Sequence, residues 1–310
     1  MKHLTTLRLI DAVVRIGSIR KAAEEMALTP SALHRRVQSF EEELGEHIFE
    51  RYSHGVRLTA AGELVIHHIR NQVSETERLR SRLADLSGVR RGHVSLACSQ
   101  ALAPYFLPAE IARYRKEFPA VTFDVQVLDH WEAEKAIEDY QADLALVFDS
   151  SQVADFEVLT VARQDLTAVF SVNHPLAHKD VLRLRDCLAY PLVLPKKNFG
   201  GRQLLGRSVA RTSLELEPVL ESNSFEFLKS YILQEMAVTF QIPIGVPDTP
   251  IDETLTSRPL DERDVQSGLL FFGQKRGRTL PVASARFADQ VIQTLADKFE
   301  LVDYPVPEDP

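Results

Sequence analysis

Ser31, His34, Arg35 and Gln38 fall on one side of the stretch PSALHRRVQSFEEEL at residues 30–44 when it is wound as a helix, with Arg36 on their flank. Hydroxyl, imidazole, guanidinium and amide groups presented this way can read base edges in a major groove, where a guanidinium bonds bidentately to guanine. The other side carries Leu33, Val37, Phe40 and Leu44 at steps of four, three and four residues, the spacing of a buried stripe. Thr29 is placed to cap this helix, with Pro30 at the first helical position, where a missing N–H costs nothing. Gly45 is placed to stop it. Ser18 caps a shorter helix upstream, in which Ala22, Ala23 and Met26 form a small, close-packing face, and Ala27-Leu28-Thr29 forms the turn between the two. Ser18, Thr29 and Pro30, at the helix starts, join the candidate DNA-contacting set.

These helices need a partner to cover them. Leu4, Leu7, Ile10 and Val14 repeat at helical spacing up to Gly17, which predicts a first helix over residues 4–16 and a three-helix core. HIFERYSHGVRL, residues 47–58, alternates and turns at His54-Gly55, the signal of a β-ribbon. Arg51, His54 and Arg57 on that ribbon suit phosphate or minor-groove contact, and equally a solvated hairpin. From Thr59, an N-cap, to Leu86 there is no proline and no glycine after Gly62, which predicts one long helix. Ile69, Thr76 and Leu83 form one heptad series on it, and Val65, Gln72, Leu79 and Leu86 the other. Such a seam pairs most simply with a second copy of itself. His67 and His68 are adjacent and point apart on a helix, so they do not form a metal pair.

The chain resembles the LysR-type transcriptional regulators of bacteria. The resemblance is carried by Gly17-Ser18, Ala22-Ala23, Leu28 followed by Thr29-Pro30-Ser31-Ala32-Leu33, Glu41, Leu44-Gly45, Phe49 with Arg51, Leu58-Thr59 and Ala61-Gly62. It is sharp over about the first ninety residues and extends to the remainder only in layout. His34 stands where the family usually has serine, on the DNA-facing side, and Phe40 where it usually has leucine, in the core. The resemblance implies a multidomain chain: an all-α winged helix-turn-helix head, a long linker helix, and a two-lobed α/β effector domain of the type 2 periplasmic-binding-protein-like kind. The divisions expected are the head at 1–58, the linker and dimerisation helix at 59–87 and a hinge at 88–93. The effector domain follows at 94–300, with lobe I at 94–162 and 266–300 and lobe II at 163–265, and a tail at 301–310. The implied partners are double-stranded DNA, a small-molecule effector, a second copy through the linker helix with tetramers often formed from such dimers, and RNA polymerase.

With 310 residues, 45% of them hydrophobic, the chain is long enough for two or three domains. Residues 1–92 hold fifteen Lys and Arg against twelve Asp and Glu, and the remainder 21 against 32. The net charge of −8 therefore conceals a basic head on an acidic body, which suits a head that approaches phosphates. Cys98 and Cys187 are far apart and outside any CxxC, which argues against a disulfide framework. Cys98 falls within the alternation Val94, Leu96, Cys98 and reads as a small buried hydrophobe, against the redox pair that oxidant-sensing members of the family use. The first seventeen residues do not resemble a signal peptide, and no apolar run is long enough to span a bilayer, so the expected location is the cytoplasm, with no membrane partner.

After the Gly88 to Gly92 break, strands and helices alternate. Strands are expected at 94–98, 121–127, 144–148, 166–172, 191–194, 218–221, 237–242 and 269–272, and helices at 102–118, 131–140, 201–211, 225–235 and 282–299. Alternation of this kind predicts a parallel-dominated sheet with helices on both faces, and Tyr304 to Pro310 reads as a disordered tail. The glycines usual in the family before the last strand of lobe II are absent from residues 234–240. Ligands of open α/β lobes bind beyond the carboxyl ends of strands. That rule selects Ser99, Gln100, His130, Phe148, Lys196, Gly200, Gly201, Asn223 and Gln241. The resemblance supports Ser99 most, because a hydroxyl residue there often bonds the effector. Lys196-Lys197 could hold a carboxylate or could be a solvated loop, and small organic acids and amino acids are the effector classes to test first. A solute-binding protein would share the lobes but not the first ninety residues. An enzyme would need a GxSxG, P-loop, HExxH or paired-ligand pattern, and none occurs, so no catalytic residue, metal site or cofactor is expected.

Overall fold

The computed structural model describes residues 2–52, 55–86, 91–148, 156–210, 212–246 and 254–304. The chain divides into two compact units, Met1–Ser87 and Gly88–Pro310. The first comprises α1 (Lys2–Ile16), α2 (Ile19–Glu25), α3 (Pro30–Leu44), the strands β1 (Phe49–Tyr52) and β2 (Gly55–Leu58), and α4 (Ala60–Leu86). Its core joins Leu7, Ile10 and Val13 of α1 to Ala22, Ala23, Leu33 and Val37, together with Ile48, Val56, Ile66 and Ile69. Gly45 ends α3 in the left-handed region at φ 81°, where its missing Cβ removes the strain. Gly62 serves by close approach, because a Cβ there would lie 2.2 Å from the Ile48 carbonyl oxygen. Thr59 caps α4, its Oγ1 accepting from Gly62 N at 2.9 Å. Glu41 anchors the entry to the ribbon: its Oε1 accepts from Ile48 N at 2.8 Å and Phe49 N at 3.1 Å.

Two expectations for this unit need correction. Leu44 is 42% exposed, so the buried stripe of α3 narrows to Leu33 and Val37 with Phe40 half-buried. The heptad seam of α4 is not one surface: Ile69 is in the head core and Val65 packs against it, while Leu79 and Leu83 are 57% and 54% exposed. A helix that leaves a small domain packs its first turns on its own chain, so only the distal turns keep a free apolar side. The turn expected at His54-Gly55 falls partly on residues 53–54, outside the described residues, and β2 begins at Gly55, paired with Tyr52.

The second unit opens with β3 (Gly92–Cys98), a 3₁₀ turn (Gln100–Leu102), α5 (Phe106–Glu117), β4 (Val121–Val127), α6 (His130–Glu138), β5 (Leu144–Phe148), β6 (Phe156–Gln164) and β7 (Thr167–Ser171). It continues with a 3₁₀ turn (Pro175–His178), α7 (Leu184–Cys187), β8 (Leu192–Pro195), α8 (Gly200–Val209), β9 (Pro218–Ser222), α9 (Phe225–Tyr231), β10 (Thr239–Gln241) and a third 3₁₀ turn (Pro243–Gly245). The last elements are β11 (Leu255–Pro259), β12 (Gly268–Lys275) and α10 (Val282–Lys298). Lobe I is a five-stranded sheet in the order β4-β3-β5-β12-β6. The period of two separates its faces: Val94, Leu96 and Cys98 join the core that includes Phe106 and Phe287, whereas Ala97, Ala145 and Val147 join Ala133 and Ile137 of α6. In lobe II β10-β7-β11 form one sheet and β8-β9 another, linked by a parallel bridge between Leu192 and Val238.

The parallel-dominated expectation holds for β4-β3-β5 and for β8-β9, whereas β12 is antiparallel to both its neighbours and so is β7. β6 and β11 carry these returns and were not anticipated. β11, LTSRP, lacks alternation and ends in proline, which an edge strand tolerates. The helix expected at 102–118 starts only at Phe106: Ala103 keeps helical geometry at the end of the 3₁₀ turn, and the chain leaves it at Tyr105, φ −124° and ψ −57°. The helix expected from Phe225 to Glu235 ends at Tyr231. The segment 88–93 reaches into β3 at Gly92, and residues 88–90 lie outside the described residues. The tail is anchored through Tyr304: Leu301 bridges to Ala162, and the Tyr304 ring meets Phe271 at 5.0 Å between centroids; residues 305–310 lie outside the described residues. Among the described residues no helix is long and apolar enough to cross a membrane.

Replacing Glu41 by alanine removes the acceptor of two ribbon N–H groups. Denaturant titration of the isolated residues 1–87 is expected to show a loss of about 1–3 kcal/mol, whereas Glu42→Ala, at an exposed position, stays within about 0.5 kcal/mol of the parent.

Candidate functional site

Two regions gather the candidate residues. In the first unit Ser18 caps α2, its Oγ accepting from Lys21 N at 3.4 Å, and Thr29 caps α3, accepting from Ala32 N at 3.3 Å. Thr29 Oγ1 also lies 3.3 Å from Ser31 Oγ. The caps fix where α3 begins, and its buried Leu33 and Val37 fix its rotation. Ser31, Arg35, Arg36 and Gln38 are therefore exposed and His34 is half-buried beside them. On the ribbon the Arg57 guanidinium lies 4.6 Å from the Tyr52 ring centroid, a cation–π contact that holds a flexible side chain. Arg51 is in β1, and His54 lies outside the described residues.

In the second unit a narrow cleft lies between the lobes, its enclosed space about 30 Å³ and the rest of it open to solvent. Ser99 follows β3, its N–H donating to Leu146 O at 3.2 Å, and its Oγ is buried with no partner among the described residues. It occupies the N-cap position of the 3₁₀ turn without capping it. Gln241 is 6% exposed; its Oε1 accepts from Ile242 N at 2.9 Å and its Nε2 is buried without a partner. Phe148 lines the same space, as do Gly200 and Gly201, the first residues of α8, where Phe199 gives no side-chain cap. The sequence placed these five together with Gln100, which also lines the cavity but uses its Oε1 to accept from Phe225 N at 2.9 Å, across the lobes.

Two candidates are placed otherwise. Lys196 and Asn223 are exposed and do not line the cavity, and Lys196 faces Glu221 at 3.9 Å. His130 opens α6. Sequence reasoning missed Asp129, Asn198, Phe199, Phe225 and Phe240. Asn198 Nδ2 donates to Asp129 Oδ2 at 2.7 Å, a second bond between lobes, and Lys229 Nζ donates to Tyr105 Oη at 3.0 Å, a third. Asp129 was legible as a helix start; the phenylalanines read only as core. Among the described residues no group of three or more His, Cys, Asp or Glu could hold a metal ion.

Two family models match the chain: "Bacterial regulatory helix-turn-helix protein, lysR family" over residues 4–63 and "LysR substrate binding domain" over residues 87–296. A probable nitrogen assimilation transcriptional activator of Synechococcus elongatus is 26% identical over 263 residues, covering 84% of this chain and 85% of the relative. Among solved structures, full-length OxyR of Pseudomonas aeruginosa aligns with a TM-score of 0.72 at 18% identity, covering 99% of this chain and 98% of that one. CbnR in complex with its target DNA aligns with a TM-score of 0.62 at 18% identity, covering 94% and 99%.

Cys98 and Cys187 are both fully buried and free, and burial pushes each thiol from its ordinary 9.0 up to about 12. At pH 8 a disulfide reagent is expected to leave both thiols unmodified in the native protein and to titrate two in denaturant. The raised folded values mean that this contribution to stability is intact below about pH 9 and is lost as pH rises toward about 12.

Proposed function

The chain belongs to the LysR family of bacterial transcriptional regulators, and we propose that α3 reads its operator through Ser31, His34, Arg35 and Gln38 while an effector held between the lobes modulates the outcome. It is a DNA-binding regulator with an effector domain, not an enzyme. The single observation that supports α3 as the reading surface is its rotation: Leu33 and Val37 are buried, and Arg35, Arg36 and Gln38 face outward. Arg36, Arg51 and Arg57 take phosphates, His54 serves with them on the ribbon, and Ser18, Thr29 and Pro30 set the helix starts against the backbone. In lobe I and lobe II the effector contacts are Ser99, Gln241 and the first N–H groups of α8, with Gln100 and Phe148 at the walls. Residues 1–58 act as the head, α4 as the linker and dimerisation helix, 88–93 as the hinge and 94–300 as the effector domain. Tetramers form from dimers, the protein works in the cytoplasm, and it meets RNA polymerase at the promoter.

Arg35→Ala is expected to weaken operator binding and to relax the preference at one base pair by about 1–3 kcal/mol, with the melting temperature near that of the parent. Equal losses on operator and random duplex, measured at fixed salt, would make Arg35 a phosphate contact only.

The exposed Leu79 and Leu83 support a two-fold dimer through the distal turns of α4, which would place two recognition helices about 34 Å apart or a multiple of it. Leu79→Asp combined with Leu83→Asp is expected to give monomers in sedimentation and to abolish tight operator binding. A dimeric double mutant would remove this seam from the assembly.

A further inference from the structure

Among the described residues that line the cleft, the two buried groups left unpaired, Ser99 Oγ and Gln241 Nε2, can both donate a hydrogen. Gln241 is decisive because its orientation is not arbitrary: Ile242 N must be accepted by Oε1, so the amide nitrogen is the end left buried and unsatisfied. Ser99 Oγ is buried in the same cavity without a partner. Gly200 and Gly201 open the ten-residue α8, whose first N–H groups have no intrahelical acceptor and carry the positive end of the helix dipole. A buried donor without an acceptor costs stability, so the complementary ligand end is acceptor-only, as an anionic oxygen pair is.

The remaining lining restricts the charge and the body of that ligand. Among the described residues no Lys or Arg lines the cavity, so a doubly charged anion would find no cation in that lining. Arg202, next along α8, feels the charge of Glu221 and is not part of the lining. The one carboxylate present, Asp129, already accepts from Asn198; it leaves an ammonium group poorly served and repels a second carboxylate. Phe148, Phe199, Phe225 and Phe240 supply the apolar part of the lining, and the Phe199 and Phe225 rings meet edge to face at 5.4 Å.

We propose that the cleft takes a small monocarboxylate with a compact ring or other apolar body, and that Gln241 selects the carboxylate. This rests on the lobes' cleft being the effector site. The test uses the full chain with benzoate, its uncharged isostere benzamide, phthalate, phenylalanine and sulfate, read by thermal shift and calorimetry. Benzoate is expected to raise the melting temperature most and to bind about tenfold or more tighter than benzamide, the value of one charge-assisted bond. Gln241→Glu keeps an acceptor for Ile242 N but turns a carboxylate on the ligand; it should weaken benzoate about tenfold or more and leave benzamide nearly unchanged. If that variant lowers the ligand-free melting temperature, Ser99→Ala carries the same comparison. Benzoate binding no tighter than benzamide, or no shift with benzoate, overturns the assigned class. Tighter binding of phthalate, phenylalanine or sulfate that is lost in Ser99→Ala overturns the class and leaves the cleft as the site. Binding of any probe that neither variant alters overturns the cleft itself.

Discussion

Among the described residues three side-chain hydrogen bonds cross between the lobes around the cleft, and Ser267 to Asp165 adds another where the chain crosses between them. Phe225 N donates to Gln100, Asn198 to Asp129, and Lys229 to the Tyr105 hydroxyl. A neutral bond of this sort contributes about 0.5–1.5 kcal/mol net and one to a charged group about 1.5–3. The lobes also share one apolar core, in which Leu102 and Phe148 of lobe I join Phe225, Phe240 and Ile244 of lobe II, so closure rests on packing as well as on these bonds, and a ligand would add bonds to two buried donors. Ser99 and Gln241 are those donors, and leaving them unpaired keeps the ligand-free cleft from being the most stable arrangement of its own polar groups. Gln100 illustrates the division of labour: it faces the cavity, but its acceptor is spent on the start of α9, so it acts on closure more than on the ligand.

The head is held differently: among its described residues no buried side-chain polar atom lacks a partner, and one core joins its elements. Ile66 and Ile69 of α4 are members of the same core as Leu33 and Val37 of α3. Arg70, 8% exposed, donates from Nε to Asp11 at 2.8 Å and ties α4 to α1. Val56 N donates to Gly17 O at 3.0 Å, which seats the ribbon on the first interhelical turn. The orientation of α3 is thus fixed to the first turns of α4, and a pair of α4 helices would carry the two reading surfaces as rigid attachments. Close packing makes such a core transmit displacement rather than absorb it.

The head was the more legible half, and the reason is local. Caps, turn glycines and a period of 3.6 are written in consecutive residues, so Ser18, Thr29, Pro30 and Gly45 are each found where they were expected. What failed there required knowledge of a neighbour: Val65 and Ile69 fit a heptad as well as they fit a core, and only the packing of α4 on α1 decides between them. In the effector unit the strands with strong alternation, β3 and β4, were legible. The edge strand β11 and the antiparallel returns of β12 were not, because direction and order are set by pairing partners distant in sequence. The cleft was read through the rule of strand ends, which located Ser99, Phe148, Gly200, Gly201 and Gln241 but also Lys196 and Asn223, since a strand end alone does not say which way its loop faces. Phe199, Phe225 and Phe240 escaped because a phenylalanine lining a cleft and one filling a core have the same sequence pattern.

What a small molecule can do here depends on whether it tells one arrangement of the lobes from another. A ligand shifts closure only by its difference in affinity for the open and closed lobes, however tightly it binds either one. A coupling of about 1–3 kcal/mol between the cleft and DNA corresponds to roughly 5–150-fold in affinity, comparable in size to the bonds that span the lobes. Larger coupling would need more of the interface to break. Linkage then requires DNA to alter the affinity of the cleft by the same factor. Because Ser99 and Gln241 are on opposite sides of the lobe division, one following β3 and the other ending β10, a ligand that bonds both must feel the distance between the lobes. Under the proposed reading, that placement would let an effector in the cleft respond to closure as well as bind there.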